Sequence, residues 1–234
     1  MRGCRALGMS ACATLLLAAI AFAASPSPLE SARDMQDRAA LEKFVNDSAD
    51  AAAKIPSDAE AQYRVALASS YLAEVEIELH DKKTARAAAE RGIKAGERAV
   101  QLKPDSAEYY RVLATLYGQA ITDIMSGFSY GPKAKDAINK AVEKAPNNSS
   151  VYVARGVGNY YLPAQLGGGP AGAIPDFQKA IQLDPRNAEA YLWLGISLRQ
   201  SKQDAEARKA FERALSLNPN RVWVKQQLDK TPAK

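Results

Sequence analysis

Histidine and cysteine are nearly missing from this chain, and most metal and nucleophile chemistry goes with them. His80 is the one histidine, and Cys4 and Cys12 are the two cysteines. A structural zinc ion needs four nitrogen or sulfur ligands, more than these three residues supply, and a serine triad would rest on His80 alone, which stands without partners in the pattern. Aromatic residues make up only 7% of the chain, while alanine carries much of the 47% hydrophobic fraction. That balance is poor for a sheet sandwich and suits helices packed closely on one another. Charge of one sign is also in short supply. The formal net charge is +5, too small to argue for nucleic acid. The glycine run Gly167–Gly169 follows no strand and lacks the lysine and serine of a nucleotide loop, so it reads as a connector. No catalytic residue, metal ligand or cofactor site is expected.

Long apolar runs are scarce too. The strongly apolar stretch from Ala11 to Ala24 is 14 residues long, against roughly 20 for a bilayer-spanning helix. Preceded by Arg2 and Arg5, and followed by Ala21-Phe22-Ala23, it reads as a secretory signal peptide over residues 1–23 with the cut after Ala23. Ser25-Pro-Ser-Pro28 then begins the mature chain in an extended conformation. Both cysteines leave with the signal. An exported chain without disulfides fits a bacterial periplasm better than a eukaryotic secretory route. The expected location is periplasmic or secreted, with no membrane span after cleavage.

What the chain has is repetition. Prolines at 56, 104, 146, 185 and 219 punctuate it at intervals of 48, 42, 39 and 34 residues. A helix-opening pattern follows each of the first four: Ala59-Glu-Ala-Gln-Tyr63, Ala107-Glu-Tyr-Tyr110, Ser149-Ser-Val-Tyr152 and Ala188-Glu-Ala-Tyr191. Asp58, Asp105 and Asn187 stand before three of them as N-caps. The closings are as alike: Ala99-Val-Gln-Leu-Lys-Pro104, Ala141-Val-Glu-Lys-Ala-Pro146, Ala180-Ile-Gln-Leu-Asp-Pro185 and Ala214-Leu-Ser-Leu-Asn-Pro219. Each unit is therefore two helices ended by a proline.

The fourth unit, with Tyr191, Leu194, Gly195, Ala207, Phe211, Ala214 and Pro219, resembles the tetratricopeptide repeat in both residue type and spacing. The resemblance covers about residues 56–219 and implies an all-α fold: a right-handed α-solenoid of about four helix pairs with N- and C-terminal capping helices. The expected divisions are an N-terminal extension and capping helix over 24–55, units at 56–104, 105–146, 147–185 and 186–219, and a C-terminal cap and tail over 220–234. A helix from Leu29 to Lys54 should cover the first unit, and Trp223 should be part of a lid on the last.

The first three units exceed the 34-residue period by 14, 8 and 5 residues. In the first, the extra residues should lengthen both helices around a turn at His80-Asp81-Lys82, with His80 as a solvated turn residue. In the second, Ser126–Pro132 reads as a turn carrying two aromatics. In the third, Leu162–Pro170 reads as a loop that cannot be helical. Three departures stand out. Arg155 fills a place usually taken by a large apolar residue. Gly92 and Gly96 fall inside a second helix and predict loose packing there. The run Glu74, Glu76, Glu78 reads as a solvated face.

In the tetratricopeptide family, ligands usually lie on the concave surface made by the first helices. Carried over position by position, the resemblance implies a partner-binding surface that includes Tyr63, Arg111, Thr115, Val157, Ile196 and Arg199. Tyr160 and Tyr161, beside the glycine loop, join it as aromatic contacts, core and ligand roles being open for both. The basic and asparagine clamp with which chaperone-binding members hold a C-terminal carboxylate is missing. Two functions follow as expectations. The first is a non-enzymatic scaffold of the bacterial cell envelope, binding a protein partner's peptide or helix in the concave groove. The second is a periplasmic solute-binding accessory of a transporter, with a small-molecule pocket in the middle repeats.

Overall fold

A computed structural model describes residues 26–233. The expected signal peptide, with Cys4, Cys12 and the cut after Ala23, lies outside the described residues. Among the described residues every regular element is a helix. Two N-terminal helices, α1 (Pro28–Asp34) and α2 (Arg38–Lys54), precede four helix pairs. The pairs are α3 (Ala59–Glu78) with α4 (Lys82–Leu102), α5 (Ala107–Gln119) with α6 (Ile124–Lys144), α7 (Ser149–Tyr161) with α8 (Gly169–Leu183), and α9 (Ala188–Gln200) with α10 (Asp204–Leu217). The last helix is α11 (Val222–Asp229). No helix among them is long and apolar enough to cross a membrane.

One local device ends five of the helices. Ile55, Lys103, Ala145, Asp184 and Asn218 follow α2, α4, α6, α8 and α10 with φ of −134°, −137°, −139°, −141° and −135°. Each precedes a proline, whose ring disfavours helical backbone in the residue before it. Two residues beyond each of the first four prolines stands the N-cap of the next helix: Asp58, Ser106, Asn148 and Asn187. Each side-chain oxygen accepts from a backbone N–H that the helix start leaves unpaired. Ser106 therefore replaces the expected Asp105, one position later.

Helix lengths account for the irregular period. α9 and α10 have 13 and 14 residues. α3 and α4 have 20 and 21, so each helix of the first unit carries about two extra turns on either side of His80. His80 is exposed and takes the left-handed conformation, at φ 65°. In the second unit α5 keeps 13 residues and α6 grows to 21. This corrects the expected turn at Ser126–Pro132, which lies within α6. The chain turns earlier, where Asp123 caps α6 reciprocally with Ser126. Pro132 falls nine positions into that helix and removes one backbone donor from it. In the third unit the excess is a real loop, although Ala164–Leu166 forms a 3-10 turn within it and α8 begins at Gly169 with Pro170 in its first turn. The N-terminal helix also departs from expectation. It breaks at Met35–Asp37, where Gln36 has φ 56°, and Asp37 caps α2.

Packing inside the pairs is small against large. A Cβ on Gly156 would stand 2.5 Å from the Phe177 ring, and one on Gly195 would stand 2.6 Å from the Phe211 ring. Both rings are fully buried. Gly92 and Gly96 work in the same way, which corrects the expectation of loose packing: a Cβ on Gly92 would meet Leu116 Cδ2 at 2.6 Å. Glycine there gives up some helix propensity and lets three helices approach closely. Arg155 is paid back by a partner in the next helix. Its Nε donates to Asp176 Oδ1 at 2.9 Å, and Asn159 Nδ2 donates to Oδ2 at 2.7 Å.

The apolar interior falls into two large clusters. One joins α1–α6 around Val65, Val75, Val112 and Leu116; the other joins α7–α11 around Phe177, Leu192 and Phe211. Trp223 packs edge-on to Trp193 with ring centroids 5.4 Å apart, so it covers the end of the second cluster.

Two substitutions in α7 test the small-against-large principle. Gly156→Ala should lower stability by about 1–3 kcal/mol, because Phe177 has no room to retreat. Gly158, with nothing within 4 Å of an added Cβ, should gain about 0.5–1 kcal/mol on conversion to alanine. Urea unfolding of both variants measures the difference in sign.

Candidate functional site

The first helices of the pairs, α3, α5, α7 and α9, lie side by side and form the inner face of the array. The expected binding residues are on them, and the structure shows what each one touches. Tyr63 and Arg111 are drawn together by Glu108. The Tyr63 hydroxyl donates to Glu108 Oε1 at 2.9 Å, while Arg111 binds the same carboxylate through Nε at 2.7 Å and Nη2 at 2.6 Å. Burial pushes the Glu108 carboxyl up, but the Arg111 hydrogen bonds and charge outweigh it and hold it below the usual carboxylate range. Tyr63 stacks on Tyr109 at 4.7 Å, and the Thr115 hydroxyl donates to the Arg111 carbonyl at 3.1 Å. Tyr71 lies beside this knot, close enough for the Arg111 charge to act on its hydroxyl.

The remaining expected residues divide. Ile196 is buried in the second core cluster, and Val157 packs partly against it. Arg199 is engaged by the C-terminal cap, its Nη1 donating to the Gln227 carbonyl at 2.9 Å. Tyr160 packs edge-on to Trp193 at 5.6 Å, while Tyr161 is 63% exposed. The eight residues thus form a polar knot at Tyr63, Arg111 and Thr115, a core contribution at Val157 and Ile196, a cap contact at Arg199 and an aromatic rim at Tyr160 and Tyr161.

The inner face holds a feature that sequence reasoning missed. Arg221, immediately before α11, is 1% exposed and sits among carboxylates from both ends of the chain. Its Nη2 lies 2.6 Å from Glu74 Oε1, its Nη1 donates to Glu78 Oε2 at 3.1 Å, and its Nε donates to Glu189 Oε1 at 3.2 Å and stands 3.7 Å from Asp34 Oδ1. Arg33 of α1 adds a second cation, 2.7 Å from Asp34 and 3.3 Å from Glu189, with its guanidinium over the Tyr71 ring. Asn218 donates to Asp34 at 2.7 Å, and the Gln36 and Gln226 side chains hydrogen-bond to one another. α1 is thereby laid across the inner face from α3 to α9. The expectation of a solvated acidic run is corrected here: Glu76 and Glu78 are buried, the first paired with Arg38 at 2.7 Å and the second with Arg221.

The charges in this cluster are unequal. Four carboxylates face two guanidiniums. Burial pushes the Glu74 carboxyl up to about 7, with Arg221 and Arg33 pulling it back and Glu189 and Glu78 adding to the rise. Glu78 is also raised by burial, against the pull of Arg221. Glu189 is lowered, because Arg33 and Arg221 together outweigh its burial.

A different surface lies at the turns of the middle units. Ile124, Met125 and Phe128 on the first turns of α6 are 77%, 76% and 74% exposed, and Leu166 in the third-unit loop is 68% exposed. The chain carries no charge from Gly156 to Pro175. Two open cavities, of about 340 and 620 Å³, lie instead between α4 and α6, sharing Glu97 and Lys133 in their walls. They are set apart from the Gly167 loop.

Comparison with known proteins agrees with this architecture. Residues 29–163 match the family described as regulator of microtubule dynamics protein 1-3, and residues 167–222 match a tetratricopeptide repeat family. No curated protein matches the sequence. Among solved structures, a thermophilic TPR protein of Thermus thermophilus is 19% identical over 86% of this chain and 97% of its own, with a TM-score of 0.58. The APC/C hetero-tetramer Cut9–Hcn1 is 15% identical over 88% of this chain and 32% of its own, with a TM-score of 0.51. These likenesses are of fold.

The Glu108 knot yields a pH prediction. A carboxyl whose folded value is depressed contributes stability above its unfolded value, and that contribution is lost as pH falls through the folded one. Glu108→Gln should therefore lower stability at pH 7 and leave it less altered near pH 3. Thermal unfolding midpoints at the two pH values measure this.

Proposed function

Because the chain belongs to the family described as regulator of microtubule dynamics protein 1-3 and is built from tetratricopeptide repeats, we propose that it is an exported scaffold of the cell envelope. It binds a peptide or helix of another protein along the inner face of the array. Tetratricopeptide arrays serve in general as non-enzymatic surfaces for protein partners. The observation that carries the finer reading is the knot on α3 and α5. Tyr63 and Arg111 converge on Glu108, with Tyr109 stacked on Tyr63, in a partly buried, pre-ordered arrangement. Tyrosine and arginine held in this way are the residue types that dominate protein interfaces, since little side-chain entropy remains to be lost on binding. Tyr160 and Tyr161 extend the same face with aromatic area. The envelope location rests on the signal-like segment 1–23 and on the removal of both cysteines with it. The two cavities are walled by α4, α5 and α6 rather than by the glycine loop that motivates a solute pocket.

Capture from envelope extract tests this reading when it is combined with site-directed photo-crosslinking. A crosslinker at position 115 should join one reproducible protein, and Arg111→Ala with Tyr160→Ala should abolish that adduct while helical circular dichroism is retained. Adducts that persist in the double variant, or that form equally from a crosslinker at position 42 on the outer side of α2, contradict the inner-face assignment.

A further inference from the structure

The cluster around Arg221 raises a question of access, because it places α1 over the face just assigned to a partner. α1 is seven residues long, and what holds it there is mainly polar. Arg33 reaches Glu189 and covers Tyr71, Asp34 accepts from Asn218 and faces Arg221, and Gln36 beyond it bonds Glu78 at 2.7 Å and pairs with Gln226. Only Leu29 and Ala32 contribute apolar contact with the first core cluster. Such a segment can leave without opening the interior, since Leu41, Val45 and the rest of that cluster belong to longer helices. Local opening of this kind draws on elements with few buried apolar contacts.

We propose that α1 and the Arg221 corner form an internal latch, which closes the inner face when α1 is docked and opens it to a partner when α1 is released. This rests on the inner-face reading above and adds its regulation. The docked segment reaches residues 184 to 190 positions away in sequence, so its release breaks these links and uncovers Tyr71, while Arg221 keeps its bonds to Glu74 and Glu78.

The charge balance makes the latch sensitive to pH. The groups that face one another are Arg33 and Asp34 from α1, Tyr71, Glu74 and Glu78 from α3, Glu189 from α9, Arg221 before α11, and Tyr161 of α7, on whose hydroxyl Glu74 and Glu78 act. With every carboxyl ionised the corner holds two more negative charges than positive, and α1 itself brings one of each, Arg33 and Asp34. Protonation of Glu74 relieves half of that excess. A carboxyl whose docked value is raised above its solvated one contributes to docking below the solvated value and loses that contribution as pH rises through the docked value. Burial is the largest influence on Glu74 and outweighs the opposing pull of Arg221 and of Arg33 from α1. To the extent that α1 supplies that burial, Glu74 favours closure at mildly acidic pH and release as pH climbs past about 7. Glu189, held low, stays ionised throughout and keeps both arginines paired.

Hydrogen exchange and hydroxyl-radical footprinting, read by mass spectrometry on the full chain, test this without any partner. At pH 8, relative to pH 6 and after correction for intrinsic exchange, protection over 28–34 should fall by about tenfold and radical labelling of Tyr71 should rise, while α5 and α7 stay unchanged. Arg221→Gln should show the open pattern at both pH values. Glu74→Gln should stay closed at both. If Arg221→Gln unfolds the array, Glu74→Gln still decides the matter. Protection over 28–34 that matches the wild type in Glu74→Gln at pH 8, or that falls together with α5 and α7 at that pH, overturns the latch. Failure of the crosslinking experiment leaves these readouts unaffected, so the two proposals fail separately.

Discussion

Arg221 must be paired or not buried. A guanidinium stays protonated at any ordinary pH, and removing it from water costs several kcal/mol unless carboxylates surround it. At 1% exposure it finds them in α1, α3 and α9, elements that belong to opposite ends of the array. Much of the arrangement follows from that need. The first-unit helices must be long enough to carry Glu74 and Glu78 to the corner, and both lie in the last turns of the 20-residue α3. α1 must turn back at Gln36 to supply Asp34 and Arg33. The C-terminal cap must present Arg221 inward, and Trp223 settles that segment by packing on Trp193.

A repeat array ordinarily has only nearest-neighbour interfaces, so its ends fray and its middle holds. Here the large apolar clusters divide between α6 and α7, which weakens the middle of the array relative to an unbroken core. The corner around Arg221 supplies a second connection, because it ties α1 and α3 of the first cluster to α9 and α11 of the second. The ends of this array are therefore among its constrained parts. The two kinds of contact differ in character. Core contacts such as Phe177 on Gly156 are apolar and insensitive to pH, whereas the corner is polar, crowded with like charges and responsive to protonation. That difference lets one part of the molecule yield while the rest stays folded.

Much of this was legible in the sequence, and the rest has identifiable physical reasons for being hidden. The prolines marked the helix ends, because their effect on the preceding residue is local and independent of tertiary context. The long α3 and α4 were legible from the proline interval and from the uninterrupted helix-forming residues around His80. The turn in the second unit was misread, because Gly127, Gly131 and Pro132 look like loop residues while the Asp123–Ser126 cap decides where the helix starts. Propensity lost to capping. In the candidate site, Tyr63, Arg111 and Thr115 lie together on α3 and α5, where Glu108 joins the first two and the Arg111 carbonyl accepts from the third. Arg199 did not remain free, because the C-terminal cap covers it, and a cap's path is set by packing that no repeat pattern encodes. The acidic run of α3 was read as solvated since its partner lies at Arg221, 143 residues away from Glu78. A faint signal for that partner was present. Two residues after each of the first four prolines stands Asp58, Ser106, Asn148 or Asn187, a residue that can cap a helix; after the fifth stands Arg221, which has no acceptor to offer. A basic residue in a capping position asks for another explanation.

The central claim is that the two ends of the array are energetically joined through Arg221. A double-mutant cycle on stability, pairing Arg221→Met with Glu78→Gln, addresses it most directly. A coupling of about 1.5 kcal/mol or more is expected between these residues, which lie in the last and first parts of the array. A coupling within about 0.5 kcal/mol of zero, the level found for independent sites, would contradict it.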